Sequence, residues 1–172
     1  MFLIISGFIS ILCAWKWGDW KNWRQYLSTI QYFIIGDMLY NLFTQDFPLW
    51  NYPSPPNLLP NHLFNNLFIM FIIYPSTLLI FLYRFPKRNF FKQLLHILFW
   101  IFLWAVFEFF MVYYELCVYY HGWTYSWSIF FASIMVLMLL LHYKHPLWAY
   151  MLSVPITAFF LFWFHVPIFS GK

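Results

Sequence analysis

Residues 94–117 read LLHILFWIFLWAVFEFFMVYYELC, twenty-four positions with no lysine or arginine and with Glu108 and Glu115 as the only acids. A helix needs roughly 20 predominantly apolar residues to cross the hydrocarbon core of a bilayer, so this stretch reads as a membrane span. Runs of similar character occupy 26–45, 61–83, 125–142 and 147–166, and a shorter one covers 2–15. The connections have loop chemistry. Lys16 to Arg24 is charged and tryptophan-rich, Asp46 to Pro60 holds five prolines, Arg84 to Lys92 is basic, Tyr119 to Thr124 contains Gly122, and Tyr143 to Pro146 is a tight basic turn.

The composition agrees. Of 172 residues, 64% are apolar, 28% aromatic and 8% charged. Soluble domains carry about a quarter charged residues, so a water-soluble fold is excluded. The chain is therefore expected to be all-α, a single polytopic transmembrane helix bundle over residues 1–172. It has six spans, or five if the first run lies in the interface. Eight of the nine Lys/Arg residues fall at one end of this threading, and only Lys172 falls at the other. The positive-inside rule then puts both termini, the proline-rich connection and the Gly122 hinge outside.

The same clustering of positive charge argues against a nucleic-acid partner, which would call for a basic face on a soluble module. Trp15, Trp17, Trp20 and Trp23 among the inner charges read as an interfacial aromatic belt; a headgroup or partner-docking surface is the alternative. Cys13 and Cys117 fall toward opposite ends of the threading, beyond disulfide reach. The N-terminus has neither the basic region nor the small-residue cleavage site of a signal peptide.

Asp37 and Glu108 carry the functional signal. At 1.5 Å per residue, Asp37 stands about 19 Å from the level of Arg24, and Glu108 about 24 Å from that of Lys92. A carboxylate at such depth is costly and should face the bundle interior. Gly36, Asp37, Tyr40, Asn41 and Thr44 form a polar stripe at helical spacing. Asn61 and Asn65 are four apart, as are His62 and Asn66, and Trp104, Glu108, Met111 and Glu115 are expected to share one face. Ser128 falls level with Glu108. These positions define an expected ligand- or ion-binding layer of Asp37, Tyr40, Asn41, Asn65, Glu108 and Ser128 in the outer half, with Trp50 and Tyr52 over its mouth. The plainer reading is that asparagine, serine and tyrosine tie helices together, at about 1 kcal/mol per bond.

Pro75 and Pro155 interrupt the third and sixth spans, where each frees the carbonyl four residues back and bends the helix. His62, His121 and His165 are expected at the outer interface, and His96, His142 and His145 at the inner one, solvated rather than ligating haem. A metal site from His62, Glu115 and His121 is a minor alternative. Serine-hydrolase, phosphate-loop and dinucleotide motifs are absent, no cofactor is indicated and the case for an enzyme is weak.

Trp20–Lys21–Asn22–Trp23–Arg24, Gly36–Asp37 with Tyr40, Leu59–Pro60–Asn61–His62, Glu108, and His121–Gly122–Trp123 with Ser126 together resemble a family of small multi-spanning membrane proteins from spore-forming Firmicutes. The resemblance runs over nearly the whole chain. It implies a multi-pass protein of the bacterial cytoplasmic membrane, and it carries no functional roles across. The expected partners are the lipid bilayer and a small solute, cation or proton bound or passed at the polar layer. A structural or sensory subunit without transport activity, or a binder of a lipid or apolar cofactor, are the alternatives.

Overall fold

The computed structural model describes residues 2–53 and 62–167; Asn61, most of the proline-rich connection, the side chain of His62, and Lys172 lie outside the described residues. The chain is mostly helical. In order it forms α1 (Phe2–Trp17), a short 3-10 turn (Trp20–Asn22), α2 (Arg24–Phe43), a strand β1 (Trp50–Asn51) and α3 (His62–Phe68). A π turn (Ile69–Ile73) joins α3 to α4 (Tyr74–Tyr83), and α5 (Phe90–Tyr113), β2 (Val118–Tyr119), α6 (Tyr125–Lys144) and α7 (Pro146–Trp163) complete it.

Among the described residues four stretches are long and apolar enough to cross a membrane: Phe64–Tyr83, α5, α6 and α7. The first run makes a shorter apolar helix of 16 residues. The second makes a 20-residue helix whose polar stripe keeps it out of the apolar group. Only 11% of the most apolar windows of α5 and α7 is buried, leaving Phe102, Phe109, Val154 and Phe162 on the surface. Apolar area of that extent calls for lipid or a partner rather than water.

Helix ends follow local chemistry. Asn89 caps α5 by accepting the Lys92 N–H at 3.1 Å, and Thr124 caps α6. The expected run 94–117 stops as a helix at Tyr113. There Glu115 turns left-handed (φ 56°), the Leu116 N–H reaches the Met111 carbonyl at 2.7 Å and the Glu115 N–H reaches that of Val112 at 3.0 Å. This is a Schellman ending, which takes Glu115 off the face of Trp104, Glu108 and Met111 and leaves it exposed. The expected run 147–166 ends the same way, with His165 left-handed (φ 51°) and Val166 bonded back to Leu161 at 2.9 Å.

A π turn leads into Pro75. The π turn spaces its bonds five residues apart, the Tyr74 N–H meeting the Ile69 carbonyl, and so delivers the helix to Pro75 at a position that needs no donor.

Packing places α2 between α4 and α6, with α1 against the π turn and α4, α5 against α6, and α6 against α7. α1 approaches closely at Gly7, where a Cβ would meet the far edge of the Phe68 ring at 2.4 Å. The main core gathers Tyr26, Ile30, Phe33, Met70, Tyr74, Leu78, Met111 and Val136. A second cluster forms around Leu49, Trp123, Phe160 and Phe164.

The connections sort to two ends. β1 and β2 pair antiparallel, Trp50 opposite Tyr119 and Asn51 opposite Val118, which brings the connection after α2 against the one after α5. At the other end Arg84 Nε donates to the Trp17 carbonyl at 3.2 Å, and Lys144 Nζ stands 4.9 Å over the Phe85 ring. The basic segments therefore share one end, opposite the strand pair.

Candidate functional site

The site lies where α2, α4, α5 and the strand pair meet. Asp37 is half-buried on the inward stripe of α2. Its Oδ2 accepts the Tyr74 hydroxyl at 2.5 Å, and its Oδ1 accepts Asn41 Nδ2 at 2.8 Å. Tyr74 is buried, its ring stacked on Phe33 (centroids 3.7 Å apart, planes 9° apart) and set edge-on to Trp104. The stack and the hydrogen bond thus fix ring and hydroxyl together.

Glu108 is half-buried on α5, and its Oε1 accepts the Tyr119 hydroxyl at 2.8 Å. Ser128 is buried on α6, accepts the Trp123 indole N–H at 2.7 Å, and stands within hydrogen-bonding reach of Glu108 and Tyr119. The two acids are brought to one neighbourhood, since the hydroxyls of both Tyr52 and Tyr74 lie within electrostatic reach of Asp37 and of Glu108. Burial first, and then Cys117 and the nearby carboxylates, hold the Tyr52 phenol well above its ordinary range. Tyr119 is pushed up by burial and by Glu108. Both phenols therefore stay protonated at any physiological pH, and Tyr119 keeps its proton to donate.

Tyr40 supports the strand from below. Its hydroxyl donates to the Trp50 carbonyl at 2.9 Å and accepts the N–H groups of Trp50 at 2.8 Å and Leu49 at 3.1 Å. Its ring lies flat on the Trp50 indole at 3.7 Å. Tyr40 is thus spent on the cover of the site and makes no described bond to either acid. Asn41 donates to the Asp37 carboxylate and to the Asp37 backbone carbonyl. Asn65 is buried on α3 and enters none of the hydrogen bonds described for the acids. The amide oxygens of Asn51 and Asn66, also buried, accept from no described residue.

Tyr74 and Tyr119, the phenols that donate to the two acids, are residues that sequence reasoning does not select. Tyr74 sits in an unbroken apolar run, and its one signal is the proline that follows it. Tyr119 reaches Glu108 from a loop, which helical spacing cannot reveal.

Among the described residues the clearest departure from the solvated histidine picture is His142. His121 is exposed, with Nδ1 2.9 Å from the Pro48 carbonyl, and His145 and His165 are exposed. His96 Nε2 stands 3.0 Å from the Phe81 carbonyl. His142, expected at the inner interface, is instead 1% exposed, because Tyr32 and Tyr150 close over its ring. Among the described residues no group of three or more His, Cys, Asp or Glu is placed to hold a metal ion, and both Cys13 and Cys117 are free thiols. Comparison of the chain with protein-family models, curated proteins and solved structures gives no match.

Proposed function

We propose that the chain is a multi-pass protein of the bacterial cytoplasmic membrane that binds or passes a small solute, cation or proton at this site. The basic end faces the cytoplasm, both termini lie outside, and six helices cross or enter the bilayer. The observation that carries the reading is that both acids are half-buried, each held by a phenol, Tyr74 on Asp37 and Tyr119 on Glu108. Two half-buried acids, dressed among the described residues with hydroxyl and amide groups rather than with Lys or Arg, keep their charge or their proton available for exchange. Asp37 and Glu108 are the ionisable groups. Tyr74, Asn41, Tyr119 and Ser128 orient them, and Trp50 with Tyr52 covers them on the outer side. A transported species enters past the strand pair.

A second reading is favoured by the bonds themselves. Asp37 ties α2 to α4 and Glu108 ties α5 to the loop, which suffices for a structural or sensory subunit. The Asp37→Asn and Glu108→Gln variants, reconstituted in vesicles, separate the two. Loss of proton or cation uptake with the fold retained supports the first reading. Unchanged uptake together with a lowered melting temperature supports the second.

A further inference from the structure

The eight Lys and Arg residues of the basic end are all exposed, and among the described residues Asp19 is the only acid beside them. Asp19 is already engaged. It accepts the Asn22 N–H at 3.3 Å, the Asn22 side-chain amide at 3.0 Å, the Gln25 amide at 3.2 Å and the Tyr26 hydroxyl at 3.2 Å. The positive charge of this end is therefore left to be balanced by groups outside the chain.

The turn joining α1 to α2 presents that charge in a shaped surface. It is fastened back on α1, where Trp20 Nε1 and the Gly18 N–H both donate to the Ala14 carbonyl at 2.7 Å. A depression of about 460 Å³ opens on it, lined by Lys21, Asn22, Trp23, Arg24 and Gln25, with Asp19 outside the lining. Small-molecule sites span roughly 300–1,000 Å³, so the volume suits a headgroup-sized ligand. The Arg24 guanidinium stands over the Trp23 ring, 5.9 Å from its centre, so the indole helps to hold the cation in place.

This set of groups matches a phosphodiester carried by a lipid. A guanidinium takes two phosphate oxygens with its planar fork, and an ammonium adds a point charge. Trp15, Trp17, Trp20 and Trp23 are all exposed, between 43% and 75%. Indoles favour the headgroup level of a bilayer, where the ring is half apolar and its N–H meets water. A soluble anion makes no use of them. Phe8, Leu12 and Trp15, exposed at i, i+4 and i+7 on α1, give acyl chains a track along the helix that leads into the turn.

We propose that the α1–α2 turn binds the headgroup of an anionic phospholipid, with Lys21 and Arg24 on the phosphate and Trp23 beside it. The site is separate from the outer acids and requires only that the chain sits in a bilayer.

The test uses the full-length protein in neutral detergent, with bound lipid counted by native mass spectrometry. Phosphatidylglycerol is expected to bind more tightly than phosphatidylcholine. Lys21→Gln/Arg24→Gln is expected to weaken phosphatidylglycerol about thirtyfold, the effect of losing two cations beside an anionic headgroup. Lys87→Gln/Arg88→Gln removes the same charge outside the depression and should weaken it at most about threefold, since salt screens exposed charges within about 10 Å. Equal losses in the two double variants make the attraction a property of the whole end and overturn the site. Equal affinity for the two lipids overturns it as well. Displacement of phosphatidylglycerol by glycerol phosphate or by polyglutamate, as effective as displacement by the lipid itself, overturns the lipid assignment in favour of a soluble phosphate or an acidic protein. If Lys21→Gln/Arg24→Gln does not fold, phosphatidylglycerol with a photoreactive headgroup decides on the wild type. Label on residues 21–25 supports the site, and label confined to other segments overturns it. None of these results bears on uptake at the outer acids, so the two readings fail separately.

Discussion

The Tyr74 hydroxyl meets Asp37 Oδ2 at 2.5 Å, and it is brought there by a helix whose hydrogen-bond spacing has just widened to admit Pro75. The widened turn changes the rotational register of everything after it, so the direction of this phenol is set by the π segment. Tyr74→Phe keeps the stack on Phe33 and removes only the donor. It is expected to lower stability by about 2 kcal/mol, as the loss of a bond to a carboxylate does, measured by denaturation in detergent. A double-mutant cycle with Asp37→Asn should show the two losses to be strongly non-additive.

Tyr40 bonds three backbone groups of the segment that covers the site, so its hydroxyl acts on the cover and not on the acids. Tyr40→Phe should cost about 2 kcal/mol. It should also speed amide hydrogen exchange at Leu49 and Trp50, while leaving that of α6 unchanged.

Gly7 sets the distance between α1 and the π segment. Gly7→Leu drives a side chain into the Phe68 ring and should destabilise the protein by about 1–3 kcal/mol by thermal denaturation. Gly7→Ala should cost less, since the obstruction is the far edge of a ring that can swing aside.

Cys117 is buried beside the site, and burial together with the Glu108 charge pushes its thiol well above the ordinary range. At pH 8 the folded protein therefore carries the unreactive thiol form, and alkylation of Cys117 by iodoacetamide should be slow. Glu108→Gln removes a negative charge, which lowers the thiol's proton affinity. The rate at Cys117 should then rise, read by mass spectrometry of the labelled peptides.

The positions of the helices were legible in the sequence because lipid-facing apolar runs and basic turns are dictated by composition alone. Their ends were less so. Hydropathy has no reason to stop at Tyr113, and α5 stops there because Glu115 takes a left-handed conformation that its residue type does not announce. The acids, the stripe on α2 and Ser128 were legible as polar groups set in apolar runs. Their partners were not, because Tyr74 depends on a π turn and Tyr119 on a pairing of loops distant in sequence. His142 was misjudged as solvated because depth along a helix says nothing about rotation, and its ring points at Thr29 rather than outward.

The two-residue ladder between Trp50–Asn51 and Val118–Tyr119 also has a chemical side. Tyr119, which clothes Glu108, is itself a rung. Parting those strands to admit a molecule would pull the phenol away from its carboxylate, so admission and a jump in that acid's hunger for a counter-charge become a single event.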